Sequence, residues 1–248
     1  MRGMWGAGFC WGNNVLHLIA NIFGVRKPRE HSVLGQQIGP TLCAGMALPP
    51  SLELLFRWIE ARRCFVDTPN GRIGFLFPEA EMKQGWTDHR RPGGTNINFA
   101  AEGNVNLRYW FKTTDPAVMN RLCVFAKSGG DGSMAAFWLA DDGTQKIVHL
   151  GSGSGSVTLC ILADDPVDFL RLLAIGYDEI CWGDAYSQPP NATGEFIVEP
   201  NLSYRDWVAD TFRVTIPTRA IEIVRHPASM DDEHSEDAFW QWVKKHVG

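Results

Sequence analysis

Apolar positions along the chain change period several times, and each change marks an element. Leu52, Leu55, Phe56 and Ile59 fall at i, i+3, i+4 and i+7 spacing, which predicts an amphipathic helix with one buried stripe. Pro49-Pro50 keeps that helix from extending backwards, since proline fixes φ and lacks a backbone donor. Phe65-Val66 leads to Asn70-Gly71, a tight-turn pair, and Ile73-Gly74-Phe75-Leu76-Phe77 follows; the sequence reads as a hairpin. After a polar loop over 78–94, short apolar runs recur at 97–101, 107–111, 122–126, 135–139, 146–150 and 157–162, and each is predicted as a strand. Gly129-Gly130-Asp131-Gly132 and Asp141-Asp142-Gly143 join three of these runs. Connections so short leave no room for helical crossovers, so the sheet is predicted to be mainly antiparallel.

Helical signals dominate the remainder. Asp165 can cap, Pro166 suits a first turn, and Gly176 suits a C-cap. Between them Phe169, Leu170, Leu172, Leu173 and Ile175 form a broad apolar face. A polar loop over 186–194 and a short strand over 195–198 come next. Ser203 is read as the cap of a helix carrying Tyr204, Trp207 and Val208. Thr218 is read as opening another through Ala220, Ile221 and Val224. Ser235 is read as opening the last, with Glu236 and Asp237 in its first turn and Lys244, Lys245 and His246 in its last, charges that suit the helix dipole. The predicted class is α+β: about six mainly antiparallel strands wrapped by helices, with a helical C-terminal segment. Residues 1–45 lack sustained periodicity and are rich in glycine. They read as an atypical extension, disordered or upstream of a true start at Met46. Residues 46–248 read as one domain, with 200–248 its helical C-terminal part.

Composition adds limits. The 248 residues are 45% apolar and 21% charged, enough for a core that needs neither disulfides nor metals. Net charge is -5, and Arg2, Arg26, Lys27 and Arg29 against Glu30 make the first 45 residues basic, so the remainder is more acidic still. Such a surface repels phosphate backbones and attracts basic proteins. Cysteines at 10, 43, 64, 123, 160 and 181 include no C-x-x-C pair, which argues against zinc and redox motifs. Cys64, Cys123, Cys160 and Cys181 lie in or beside apolar runs and read as buried thiols of a cytoplasmic protein. No run of 18 apolar residues signals a membrane span. The apolar stretch at 15–25 contains His17, Asn21 and Gly24 and is a weak secretory signal. Asn191-Ala192-Thr193 and Asn201-Leu202-Ser203 match the glycosylation pattern, which is short enough to arise by chance.

No motif demands chemistry. Gly151-Ser152-Gly153-Ser154-Gly155 places Gly153 where a nucleophile elbow needs serine, and a strand rather than a helix follows it, so it reads as a flexible connection and not a phosphate cradle. The acidic run from Asp231 to Asp237 lacks the glycine and spacing of a calcium loop. Asp164, Asp165 and Asp168 are explained by helix capping. No catalytic, cofactor or metal-binding set is assigned, and the expectation is a protein that is not an enzyme.

The stretch from Leu122 to Leu139, an apolar strand ending Phe125-Ala126, the turn Gly129-Gly130-Asp131-Gly132 and an aromatic strand with Phe137-Trp138, resembles the signature of the SUKH superfamily of SMI/KNR-type proteins. Lys146-Ile147-Val148-His149-Leu150 resembles that family's next strand. The run from Leu162 through Asp164-Asp165-Pro166 to Phe169-Leu170 and Leu172-Leu173 resembles its closing helix. The likeness is best over 120–175 and extends back to 48. It departs from the family in its opening motif. A similar helix, Leu-Pro-like step and helix occurs late instead, at 207–212, Val214-Thr215-Ile216-Pro217 and Thr218, a unit expected to pack where the opening helices usually sit. The resemblance implies an immunity protein that binds and neutralises a bacterial toxin, with no catalytic residue to carry over. A toxin acting on nucleic acid has a basic cleft, which an acidic inhibitor meets through charge and aromatic anchors. Candidate anchors are Trp86, Trp182 and Tyr186; candidate acidic contacts are Asp141, Asp142, Glu179 and Asp184. A regulatory or scaffolding module without a toxin partner, and an enzyme with an unfamiliar site, remain the alternatives.

Overall fold

The computed structural model describes residues 31–78, 80, 90–91, 95–192 and 197–247. Its centre is a seven-stranded sheet in the order β1-β2-β4-β5-β6-β7-β8, formed by β1 (Phe65–Thr68), β2 (Gly71–Gly74), β4 (Asn98–Gly103), β5 (Leu122–Lys127), β6 (Met134–Leu139), β7 (Gln145–Leu150) and β8 (Leu159–Ala163). Every ladder in it is antiparallel. A separate parallel pair joins β3 (Arg90–Arg91) to β9 (Ile197–Val198). The α+β class and the antiparallel sheet stand as predicted. The Asn70-Gly71 hairpin is present, with Thr68 opposite Gly71, and Gly71 takes the positive φ of 123° that the turn requires.

Helices cover both faces, which is why β5 reads as an unbroken apolar run and not as an alternating one. On one face Phe125 stacks on Phe137 at 4.3 Å and meets Phe169 edge-on at 5.7 Å. Phe169 belongs to α5 (Pro166–Ile175). Phe56 of α2 (Pro50–Ala61) reaches Phe99 on the same side. Trp138, one residue beyond Phe137, points the other way, to Phe239 at 5.2 Å and Trp242 at 5.8 Å. Both belong to α7 (Ala238–His246). The β8 edge is closed by the chain itself. Leu159 N donates to Ala228 O, Met230 N donates to Val157 O, and Ile161 N donates to the Asp237 carboxylate. An outer strand covered in this way offers no row of free backbone groups to other chains.

Local corrections follow from packing. Residues 107–111 form a short helix, α3 (Leu107–Phe111), not a strand. Leu107 and Phe111, four apart, are buried and Tyr109 between them is exposed, which fits the helical period and not the alternation of a strand. Asp115 caps α4 (Pro116–Met119). Asn201, not Ser203, caps α6 (Leu202–Phe212), accepting from Tyr204 N while its amide donates to Leu76 O. The other glycosylation-pattern asparagine, Asn191, is likewise engaged, exchanging two hydrogen bonds with the backbone of Val198. The Thr218 signal gives only a 3-10 turn, Ala220–Glu222. The last helix is capped by Asp237, not Ser235, so Glu236 and Asp237 precede its first turn. The strand expected over 73–77 ends at Gly74, and that over 157–162 begins at Leu159. Tyr204 and Val208 of α6 are buried, with Tyr204 Oη donating to Leu170 O of α5, and Val224 is fully buried.

The packed unit begins at His31, so residues 31–45, grouped with the extension on sequence grounds, belong to the fold. Ser32 caps α1 (Val33–Ile38). Glu53 accepts from Ser32 N at 2.6 Å and Ser32 Oγ at 2.9 Å. Glu60 accepts from Leu34 N at 3.0 Å and pairs with Arg72. Glu53 and Glu60 are seven residues apart, two helical turns, so one face of α2 holds both. Leu34 and Ile38 are fully buried.

Candidate functional site

Neighbouring antiparallel strands reverse direction, so the β5–β6 turn (128–133) and the β7–β8 loop (151–158) meet at one end of the sheet. The β6–β7 turn lies at the other end, about 20 Å away along the six residues of β6. At the first end Asp131 is the hub. Its carboxylate accepts from Ser133 N, Ser133 Oγ, Ser152 Oγ and Ser156 N at 2.7–3.0 Å. Burial pushes this carboxyl up, but the four hydrogen bonds outweigh it and hold it down at about 2. The Gly-Ser loop is therefore neither a phosphate cradle nor a loose connection: it wraps the chain's own carboxylate. Gly155 packs so closely on it that a Cβ there would stand 2.8 Å from Asp131.

Beneath the loop, His149 Nδ1 donates to Thr158 O at 2.9 Å, which leaves Nε2 to accept from Ser128 Oγ at 2.9 Å. Burial pushes this imidazole down to about 4, against the pull of the Thr158 carbonyl and Asp131. The Ser128–His149 pair has the contact of a catalytic dyad. Both residues are fully buried, so no substrate reaches the serine in this arrangement.

The segment after α5 is stitched to the same loop. Ser156 Oγ and Thr158 Oγ1 both donate to Cys181 O, and Gly183 N donates to Thr158 Oγ1. Glu179 accepts from Gly130 N at 2.7 Å, Asn96 Nδ2 at 3.1 Å, and the Cys181 thiol and Trp182 Nε1 at 3.3 Å each. Burial and the Glu179 charge push the Cys181 thiol up, which removes it as a nucleophile at neutral pH. Cys64, Cys123 and Cys160 are also buried.

Trp182 is 44% exposed and Val157 36%. They wall a groove of about 400 Å³ with Asp184, Pro227 and Asp232, and among the described residues no lysine or arginine lines it. An indole face beside two carboxylates suits a cationic or apolar side chain.

Of the sequence-predicted contacts, Glu179, Trp182 and Asp184 come together here. Glu179 acts as the bracket that orients the indole and not as a free charge. Asp141 and Asp142 lie at the opposite end. Asp141 pairs with Arg121 at 2.9 Å, and Asp142 closes its own turn by accepting from Thr144 N and Oγ1. Tyr186 is a correction: it is 1% exposed and its hydroxyl donates to Ile180 O. It is a core residue, and no partner reaches it. Trp86 lies outside the described residues. Asp232 and Val157 were missed because both join the groove through contacts distant in sequence.

Among the described residues no group of His, Cys, Asp and Glu has the arrangement to hold a metal ion, and no helix is long and apolar enough to cross a membrane. Comparison with family models, curated proteins and solved structures finds no match.

Proposed function

We propose that the chain is a cytoplasmic protein-binding module of SUKH type, an immunity protein whose Trp182 groove receives a basic segment of a toxin. The observation that carries this reading is the exposed indole of Trp182, held by Glu179 above a groove whose charged walls, Asp184 and Asp232, are both acidic. A pinned aromatic ring loses little conformational freedom on binding, which is what an interface anchor needs. Net charge of -5 steers a basic partner towards it.

The test is affinity capture from the source lysate with wild type and with Trp182→Ala and Asp184→Lys side by side, followed by co-expression with the captured protein. One basic protein is expected with wild type, with affinity lowered about 30-fold by Trp182→Ala and weakened by salt. Expressed alone that protein should arrest growth, and the chain should relieve the arrest. A partner with no toxicity would replace the immunity reading with the regulatory one. Equal capture by all three baits would remove the groove from either.

A further inference from the structure

Ser152 and Gly153 of the Gly-Ser loop, with Met230, wall a second groove of about 460 Å³. Its floor is apolar: Leu159, Met230 and Val243, with Trp110 and Tyr109 along one wall. Trp110 is fixed, its Nε1 donating to Gly151 O at 2.8 Å, and Tyr109 is 69% exposed. Among the described residues, the charged side chains lining the groove are Lys112 and Lys244, and no side-chain carboxylate lines it. In a chain of net charge -5, a groove whose described side chains include two cations and no carboxylate is set apart from its surroundings. Lys244 Nζ is tied to Met230 O at 2.7 Å, and its ammonium lies over the Trp240 ring, which fixes its charge beside the groove. Lys112 forms no ion pair among the described residues and follows α3 in a left-handed conformation with φ 52°, which carries the chain out of the helix beside the groove. The volume falls in the range of small-molecule sites, about 300–1,000 Å³.

We infer that this groove binds a small amphiphilic anion, a flat or chain-like apolar body carrying one carboxylate, sulfonate or phosphate ester. The body lies on Trp110, Leu159 and Met230, and the anionic head meets Lys112. The inference is independent of the partner proposed for the Trp182 groove, which has the opposite charge.

The probe is 8-anilino-1-naphthalenesulfonate, titrated into the full chain and followed by its fluorescence, with the uncharged N-phenyl-1-naphthylamine in parallel. Saturable binding of one sulfonate per chain is expected. Lys112→Glu should weaken it about tenfold or more while changing the uncharged probe little. Met230→Trp, which fills the groove, should remove both, and Trp182→Ala should change neither. Lys112 is exposed, so its replacement leaves the fold intact, as thermal melting will register. Sulfonate binding indifferent to Lys112→Glu and Met230→Trp, or lost instead with Trp182→Ala, would overturn the assignment.

Discussion

His149 shows how one buried side chain makes the fold depend on pH. The neutral ring donates to Thr158 O and accepts from Ser128 Oγ, and a second ring proton would force Ser128 Oγ to turn from donor to acceptor and place a charge in a fully buried site. An unfolded histidine takes up a proton near pH 6.5, whereas the folded one resists until about 4. Its contribution to stability is therefore complete above pH 6.5 and is lost as pH falls through that window, about 3 kcal/mol in all. Denaturant melts of wild type and His149→Gln between pH 7.5 and 4 should show a steeper loss in wild type. Equal slopes would mean that His149 is protonated without penalty. The hub at Asp131 behaves differently. Its carboxyl is held near 2, so it stays ionised in the folded protein across the same window, and the small loss that begins as pH nears 4 is shared by wild type and His149→Gln. None of this was legible from one stretch of sequence, since Asp131 meets partners 21 and 25 residues away. What could have exposed it is topology: in a run of consecutive hairpins, the first and third turns share one end of the sheet.

Among the elements, α1 is the one whose role the sequence conceals. Six residues with two glutamines carry too weak a period to read as a helix, and the backbone donors at its start are satisfied by glutamates of α2, 21 and 26 residues on. Elements with local caps were legible. Asp165 and Gly176 bound α5 as expected, with Asp165 accepting from Val167 N and Gly176 at φ 99°. Where two caps lay two residues apart, tertiary contact chose between them. Asn201 also bonds Leu76 O, and Asp237 also accepts from Ile161 N, whereas Ser203 and Ser235 reach no such partner among the described residues. The packing of α1 predicts how truncation behaves. Starting at Met46 should destabilise strongly, and Leu34→Ala alone should cost about 2–4 kcal/mol, as emptying a filled core site does. A Met46 form as stable as the longer one would show that α1 contributes nothing to the core.

At the scale of the whole molecule, the sheet divides its chemistry between its ends. One end carries the Gly-Ser loop, with an acidic aromatic groove on one side and a basic apolar groove on the other. The other end carries Asp141 and Asp142, whose charges are spent on Arg121 and on the turn itself. The antiparallel sheet and the consecutive pairing of β5, β6 and β7 were legible because hairpin connections are short, but which loops converge depends on register and on the return of the chain at 227–232 along β8. The sequence therefore named Trp182 and Asp184 yet could not separate them from Asp141 and Asp142. Hydrogen–deuterium exchange of the chain, free and bound to its captured partner, tests the division directly. Protection on binding is expected at 155–158, 181–184 and 227–232, with 140–146 unchanged. Protection confined to 140–146 would contradict the placement of the binding site at the Trp182 end of the sheet.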